Sequence, residues 1–209
     1  MKLHFFSDTH NKHDQLKFNG GDILFFCGDM CKSGKIIEAK NFIDYVKNLP
    51  YLHKVVIAGN HDFCFEDHNK EEIENYIKES GIIYLNDSGI ELLGLKIWGS
   101  PIQPTFFDWA FNRDRGEPIR QHWDLIPHDT QILLTHGPPQ GIFDKVARGP
   151  NVGCFDLLQK IKLIKPKIHA FGHIHEDRGH MKIGDTHFIN ACNLDLKYQV
   201  RFPVIEIDL

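Results

Sequence analysis

The stretch "KIHAFGHIHEDRGH" (residues 167–180) joins an apolar run, Lys167–Phe171, to two histidines, His173 and His175, through a glycine. Residues two apart on an extended chain project to the same side. Two imidazoles leaving a strand end together are either a pair of half-buried histidines or two donors for a metal ion. The choice depends on what stands at the ends of the other apolar runs.

Four more runs end the same way. "LHFF" (3–6) leads to Asp8 and His10, and "ILFFC" (23–27) to Asp29. "KVVIA" (54–58) leads to Asn60, His61 and Asp62, and "QILLT" (131–135) to His136. Short apolar runs of this kind read as buried strands. "IELLGLKIWG" (90–99) reads as a hairpin turning near Gly94, and "THFINAC" (186–192) and "FPVIEID" (202–208) as further strands. Between them lie three helical patterns. The first, 33–50, places Ile36, Ala39, Phe42, Ile43 and Val46 on one face and stops at Pro50. The second, 69–81, carries Ile73, Tyr76 and Ile77, with Asn69 and Glu72 spaced as a capping box and Gly81 as its exit. The third, 153–166, groups Leu157, Leu158 and Ile161 and ends at Pro166. Strands alternating with helices predict a layered α/β domain. Its ligands should lie beyond the carboxyl ends of the strands. The segment from Pro101 to Pro127 reads as a long irregular loop, too aromatic to be disordered.

The bulk numbers agree with one domain over 1–209. A net charge of -4 argues against a long nucleic-acid partner. No apolar run approaches membrane-spanning length, so no membrane partner is expected. Five cysteines without a CxxC, and an N-terminus without an apolar h-region, predict a reduced cytoplasmic chain. Oligomeric state has no signature.

Taken singly, each strand-end motif has an ordinary explanation: a helix cap, a turn residue, a structural histidine. A metal centre explains all five. Asp, Asn and His without Cys are mixed oxygen and nitrogen donors, suited to Mn²⁺, Fe or Zn²⁺. Seven donors exceed the need of one ion with open positions, so two ions sharing a carboxylate fit the count.

The order D-x-H, G-D, G-N-H-D, a lone H-G and G-H-x-H resembles the calcineurin-like metallophosphoesterase superfamily. "GDILFFCGDM", "NLPYLHKVVIAGNH", "LTHGPPQG" and "VGCFDLLQKI" are similar in particular to the MPPED-type metallophosphodiesterase subgroup. The resemblance implies a four-layer αββα sandwich of two mixed β-sheets flanked by helices. It also implies a role for each motif residue. Asp8, His10 and His175 would hold one divalent ion, and Asn60, His136 and His173 a second. Asp29 would bridge them. His61 would act on the leaving oxygen, with Asp62 orienting its imidazole. Mn²⁺ is the first choice of metal, with Fe, Zn²⁺ and Mg²⁺ as alternatives. A hydroxide shared by the two cations would be the nucleophile at neutral pH. The implied activity is hydrolysis of small phosphodiesters, cyclic nucleotides among them. A phosphomonoesterase, a nuclease and a non-catalytic scaffold are the rival readings.

Arg113 and Arg115 either clamp a phosphate oxygen or belong to a solvated loop. Phe106, Phe107, Trp109 and Phe111 either line a lip that stacks a base or pack into the core. "GDMCKSG" (28–34) and "GNHDFCF" (59–65) lack the arginines that phosphatase-like members of the superfamily carry there, which favours a diester over a dianionic monoester.

Overall fold

The computed structural model describes residues 1–147 and 149–209. Its first sheet is built from β1 (Lys2–Phe6), β2 (Gly21–Cys27), β3 (Tyr51–Ile57) and β4 (Ile83–Tyr84). The second takes β5 (Ser88–Leu92) and β6 (Leu95–Ser100). A short pair, β7 (Gln103–Pro104) and β8 (Asn112–Arg113), stands apart. The second sheet continues with β9 (Ile132–Thr135), β10 (Ile168–Phe171), β11 (Gly179–Ile183) and β12 (Thr186–Asn190). The closing strand, β13 (Ile205–Asp208), returns to the first. Strand order is β13-β1-β2-β3-β4 in one sheet and β11-β12-β10-β9-β6-β5 in the other. The centre of each is parallel. Antiparallel neighbours close the β13 edge of the first and both edges of the second. Both sheets are therefore mixed, as the resemblance implied.

Strand alternation builds the layers. Leu3, Phe5, Ile23, Phe25, Val55 and Ile57 of the first sheet meet Ile97, Ile132, Leu134, Ile168 and Ile189 of the second in one buried cluster. The intervening residues Phe6, Leu24, Phe26 and Val56 pack with Phe42, Ile43 and Val46 of α1 (Ile36–Val46) and Ile73 and Ile77 of α2 (Lys70–Glu79). Leu133, Phe171 and Phe188 join the same apolar network as Ile119 and Trp123 of α3 (Glu117–Asp124) and Leu157 and Ile161 of α4 (Phe155–Ile164). Strands buried on both faces read as continuous apolar runs, which is why they stood out in the sequence. Phe25 shows no exposed surface, and its truncation to alanine would cost about 3–5 kcal/mol.

Three local expectations differ. The 101–127 segment is not wholly irregular, because it contains α3 and the β7–β8 pair. Ile119 and Trp123, four residues apart, bury one face of α3, and Pro118 suits its first turn. Asn69 does not cap α2. Its backbone is already helical, and its amide group bonds the Asp67 carboxylate, while Glu72 reaches Lys40 at 2.6 Å. The last strand begins only at Ile205, after Pro203. The hairpin turns where expected, through Leu93 and Gly94, both left-handed.

Candidate metal centre

The strand ends converge as the motifs required. Asp8 follows β1, Asp29 follows β2, Asn60 follows β3, His136 follows β9, and His173 and His175 follow β10. Four of these residues and neighbours leave their strands in the left-handed region: Asp8 (φ 55°), His10 (φ 41°), Asp29 (φ 62°) and His173 (φ 69°). Such backbone is uncommon for residues other than glycine and is costly. It turns the side chains back over the sheet edges. Neighbouring glycines make the approach possible. A Cβ on Gly172 would lie 2.1 Å from Asp8 Oδ2, and one on Gly59 would lie 2.4 Å from Asp29 Oδ1.

Donor atoms gather in three overlapping groups, each within 4.8 Å: Asp8, His10 and His175; His10, Asp29 and His61; Asp29, His136 and His173. Asp29 links them. Its Oδ2 lies 3.7 Å from His10 Nε2, and its Oδ1 lies 3.5 Å from His136 Nε2. Asn60 Oδ1 is 2.8 Å from His136 Nε2. His173 and His175 do not aim at one point. The left-handed turn at His173 sends it to the His136 side, and His175 faces Asp8 at 3.5 Å.

In three of the four histidines, His10, His136 and His175, the other ring nitrogen is anchored. His10 Nδ1 bonds the Cys31 carbonyl, and His136 Nδ1 bonds the Cys27 carbonyl, both at 2.9 Å. His175 Nδ1 reaches the Asp195 carbonyl at 3.3 Å. Each of the three Nδ1 atoms faces a carbonyl, which turns Nε2 toward the cluster, where that of His136 meets Asn60 Oδ1. Asp8 accepts from the His173 amide at 3.0 Å and from the Cys192 thiol at 3.1 Å.

Electrostatics suit a cation. Burial works against charge on Asp8 and Asp29, but the surrounding histidines outweigh it and hold both carboxyls well below the usual carboxylate range. Burial opposes charge on His136 too, yet Asp29 beside it raises its pKa to about 9. His173, buried and next to His136, is lowered to about 4. Among the described residues no lysine or arginine pairs with either carboxylate. The donors are oxygen and nitrogen, clustered, anchored and negatively biased, and they fit divalent metal ions.

Asp62 does not orient the imidazole of His61. Its Oδ2 accepts from the amides of Gly59 (2.8 Å), Asp29 (2.9 Å) and Met30 (3.3 Å), and its Oδ1 from Cys31 (2.8 Å). Four backbone donors occupy the carboxylate, so it pins the loops after β2 and β3 together. Burial and the charge of Asp29 raise its pKa to about 6. His61 Nδ1 is held instead by the Lys32 carbonyl at 2.9 Å.

Five of the donors, His10, Asp29, Asn60, His173 and His175, form the floor of a cavity of about 470 Å³. Its walls include Phe106, Trp109, Arg115 and Tyr198. Phe107 and Phe111 are not lining residues: Phe107 is exposed, and Phe111 is core. Both arginines are engaged by the protein. Arg113 Nη1 and Nη2 each lie 3.2 Å from Glu66 Oε1, and Arg115 donates to the Gly153 and Val152 carbonyls at 2.8 and 2.6 Å. Tyr198 escaped sequence reading. It packs against His10 and His175 with ring centroids 4.8 and 5.2 Å away. It lies beyond the last motif in a polar turn, and no spacing rule marks it.

The family model for calcineurin-like phosphoesterases matches residues 1–177. The chain belongs to that family. This phosphoesterase is 39% identical to human metallophosphoesterase domain-containing protein 1, over 97% of its own length and 69% of the human protein's. Its fold is similar to that of TT1561 of Thermus thermophilus (TM-score 0.65, 14% identity, covering 99% and 98% of the two chains). It is also similar to phosphopantetheinyl hydrolase from Mycobacterium tuberculosis (TM-score 0.64, 12% identity, covering 94% and 90%). The phosphoesterase is thus a metal-dependent hydrolase of phosphoesters with candidate groups for divalent ions. Among the described residues no helix is long and apolar enough to cross a membrane.

Proposed function

We propose that the chain is a dinuclear phosphodiesterase acting on small diesters, with cyclic nucleotides in its range and Mn²⁺ as its first metal. The observation that carries the two-ion reading is Asp29, which presents one carboxylate oxygen to the His10 side and the other to the His136 side. Asp8, His10 and His175 would hold one ion, Asn60, His136 and His173 the other, and Asp29 both. When bound, the ions supply Lewis-acid charge that activates water and neutralises phosphoryl oxygens.

The protein's own groups do the rest. His61 Nδ1 donates to the Lys32 carbonyl, so Nε2 is the nitrogen left to pass a proton to the departing oxygen. The Asp29 carboxylate also accepts the His61 amide at 2.8 Å, which ties the acid's backbone to the metal floor. The diester preference is supported by the engaged arginines. With Arg113 paired to Glu66 away from the lining, Arg115 is the one arginine on the walls, so the second charge of a monoester would meet one fixed guanidinium rather than two. A small substrate is favoured by the cavity's size, which suits one nucleotide-sized molecule.

The test is kcat/KM for bis-nitrophenyl phosphate, 2′,3′-cyclic AMP and 3′,5′-cyclic AMP against nitrophenyl phosphate and AMP, each with the same reconstituting metal. The diesters are expected to be turned over faster. Faster turnover of the monoesters would replace the diesterase reading with a phosphatase.

A further inference from the structure

His61 lacks the carboxylate partner that its neighbour Asp62 would have supplied, because that side chain is consumed by four amides. The ring's one freedom is rotation about its Cβ–Cγ bond, and a single hydrogen bond through Nδ1 is all that restrains it from the polar side. A contact on the ring face would hold that torsion while Nε2 meets a leaving oxygen.

Trp109 stands against the ring. The two centroids are 4.2 Å apart at an interplanar angle of 34°. Phe63 lies beside Trp109 at 5.8 Å, also at 34°, so the imidazole belongs to a short run of tilted aromatic rings. His10 meets His61 edge-on at 4.6 Å and 78°. The loop that carries Trp109 is fastened to the loop that carries His61. The Ala110 amide donates to the Asn60 carbonyl at 3.2 Å, and the Phe111 amide donates to Glu66 Oε2 at 2.5 Å. Trp109 lies between two left-handed residues, Phe107 and Phe111, which give the loop a fixed, non-extended course. A ring held by one hydrogen bond, one tilted indole against its face and one edge contact has a single plane available.

We infer that Trp109 is the positioning residue of His61, setting the imidazole plane in place of the carboxylate contact the sequence motif suggests. This rests on the reading of His61 as the proton donor to the leaving group. Trp109 also lines the cavity, so a rival role is that of a plain substrate wall. The two roles predict different kinetics. A wall changes substrate binding for every substrate that touches it. A positioning residue changes turnover, and only where the leaving oxygen needs a proton.

The experiment compares Trp109→Leu, which keeps apolar bulk without a planar face, Trp109→Phe, which keeps the face, and His61→Ala. All are assayed as metal-loaded full-length protein on methyl nitrophenyl phosphate, which expels nitrophenolate, and on 2′,3′-cyclic AMP, which expels an alkoxide. Trp109→Leu is expected to lower kcat for the cyclic diester by about 10–100-fold, the scale of a misplaced catalytic group. It should leave kcat for the nitrophenyl diester within about 3-fold, because a nitrophenolate departs without protonation. KM should move little for either substrate, and Trp109→Phe should restore most of the loss. A spectroscopic signature is read on metal-free protein. The ring protons of His61 should be shifted upfield by the indole in the wild type, lose that shift in Trp109→Leu and keep part of it in Trp109→Phe. His61→Ala separates the two layers of the inference. If it shows no leaving-group dependence, the donor reading of His61 is wrong. If it shows that dependence while Trp109→Leu raises KM for both substrates with kcat unchanged, His61 stands and Trp109 is only a wall. An absent upfield shift in the wild type overturns the ring contact itself.

Discussion

The floor of the cavity and its aromatic wall are built by opposite means. The floor takes its donors from strand ends, several pinned to backbone and four turned over the sheet edge by left-handed residues. The wall takes its residues from loops: Phe106 and Trp109 after β7, and Tyr198 in the turn before β13. A strand fixes where a side chain emerges to within one pleat, so its chemistry can be written as a motif with constant spacing. A loop fixes nothing until its own hydrogen bonds are formed, so its contribution is visible only in three dimensions. Tight chemistry sits on rigid elements and adaptable contact sits on loops.

The sharpest way to break this contrast is through Asp29, the residue on which the floor depends. Asp29→Asn keeps the shape but removes the shared charge. Metal affinity should fall more than about 100-fold, beyond the loss typical of groups that merely support a ligand. Elemental analysis of the wild type at saturation should find two ions per chain, and of the variant fewer. No more than one ion in the wild type would end the two-ion assignment.

Asp62 tests whether a floor residue can be purely architectural. Asp62→Ala strips an acceptor from four buried amides, and the cost should be at least about 3 kcal/mol of unfolding free energy. Denaturant titration of the metal-free protein reads it. If stability is unchanged while leaving-group dependence is lost, Asp62 serves His61 after all.

The smallest effect is expected at Arg113, which stands behind the wall. Arg113 and Glu66 form a half-exposed pair, and such pairs contribute about 0–1 kcal/mol. Arg113→Ala should leave kcat/KM for diesters unchanged within about 2-fold, the outcome expected of a residue that never touches phosphate. A loss of 10-fold or more would return Arg113 to the substrate.

Most of the sheets and nearly all of the floor were legible in the sequence. Doubly buried strands leave unbroken apolar runs, and the five motifs after them fall where a parallel sheet must place its ligands. What was not legible depended on choices among partners. Asp62 follows His61 in "GNHD" and looks like its natural support, yet adjacent side chains diverge, and four unpaired amides nearby were a stronger claim on the carboxylate. Arg113 reads as a free cation until folding brings up Glu66, 47 residues away. α3 was hidden by the proline and aromatics around it, although the Ile119–Trp123 interval carried its signature. Tyr198 had no interval to carry.

The left-handed backbone at Asp8, His10, Asp29 and His173 has a consequence for how this fold can change. Each such residue costs on the order of 1–3 kcal/mol, and glycine would relieve it. Some of the places where the chain could gain stability are therefore among its metal ligands. A selection for heat resistance alone, run without metal or substrate, would be drawn toward glycine at these positions and would return a sturdier, inert sandwich. Keeping the strained residues means that function and toughness compete for the same few codons.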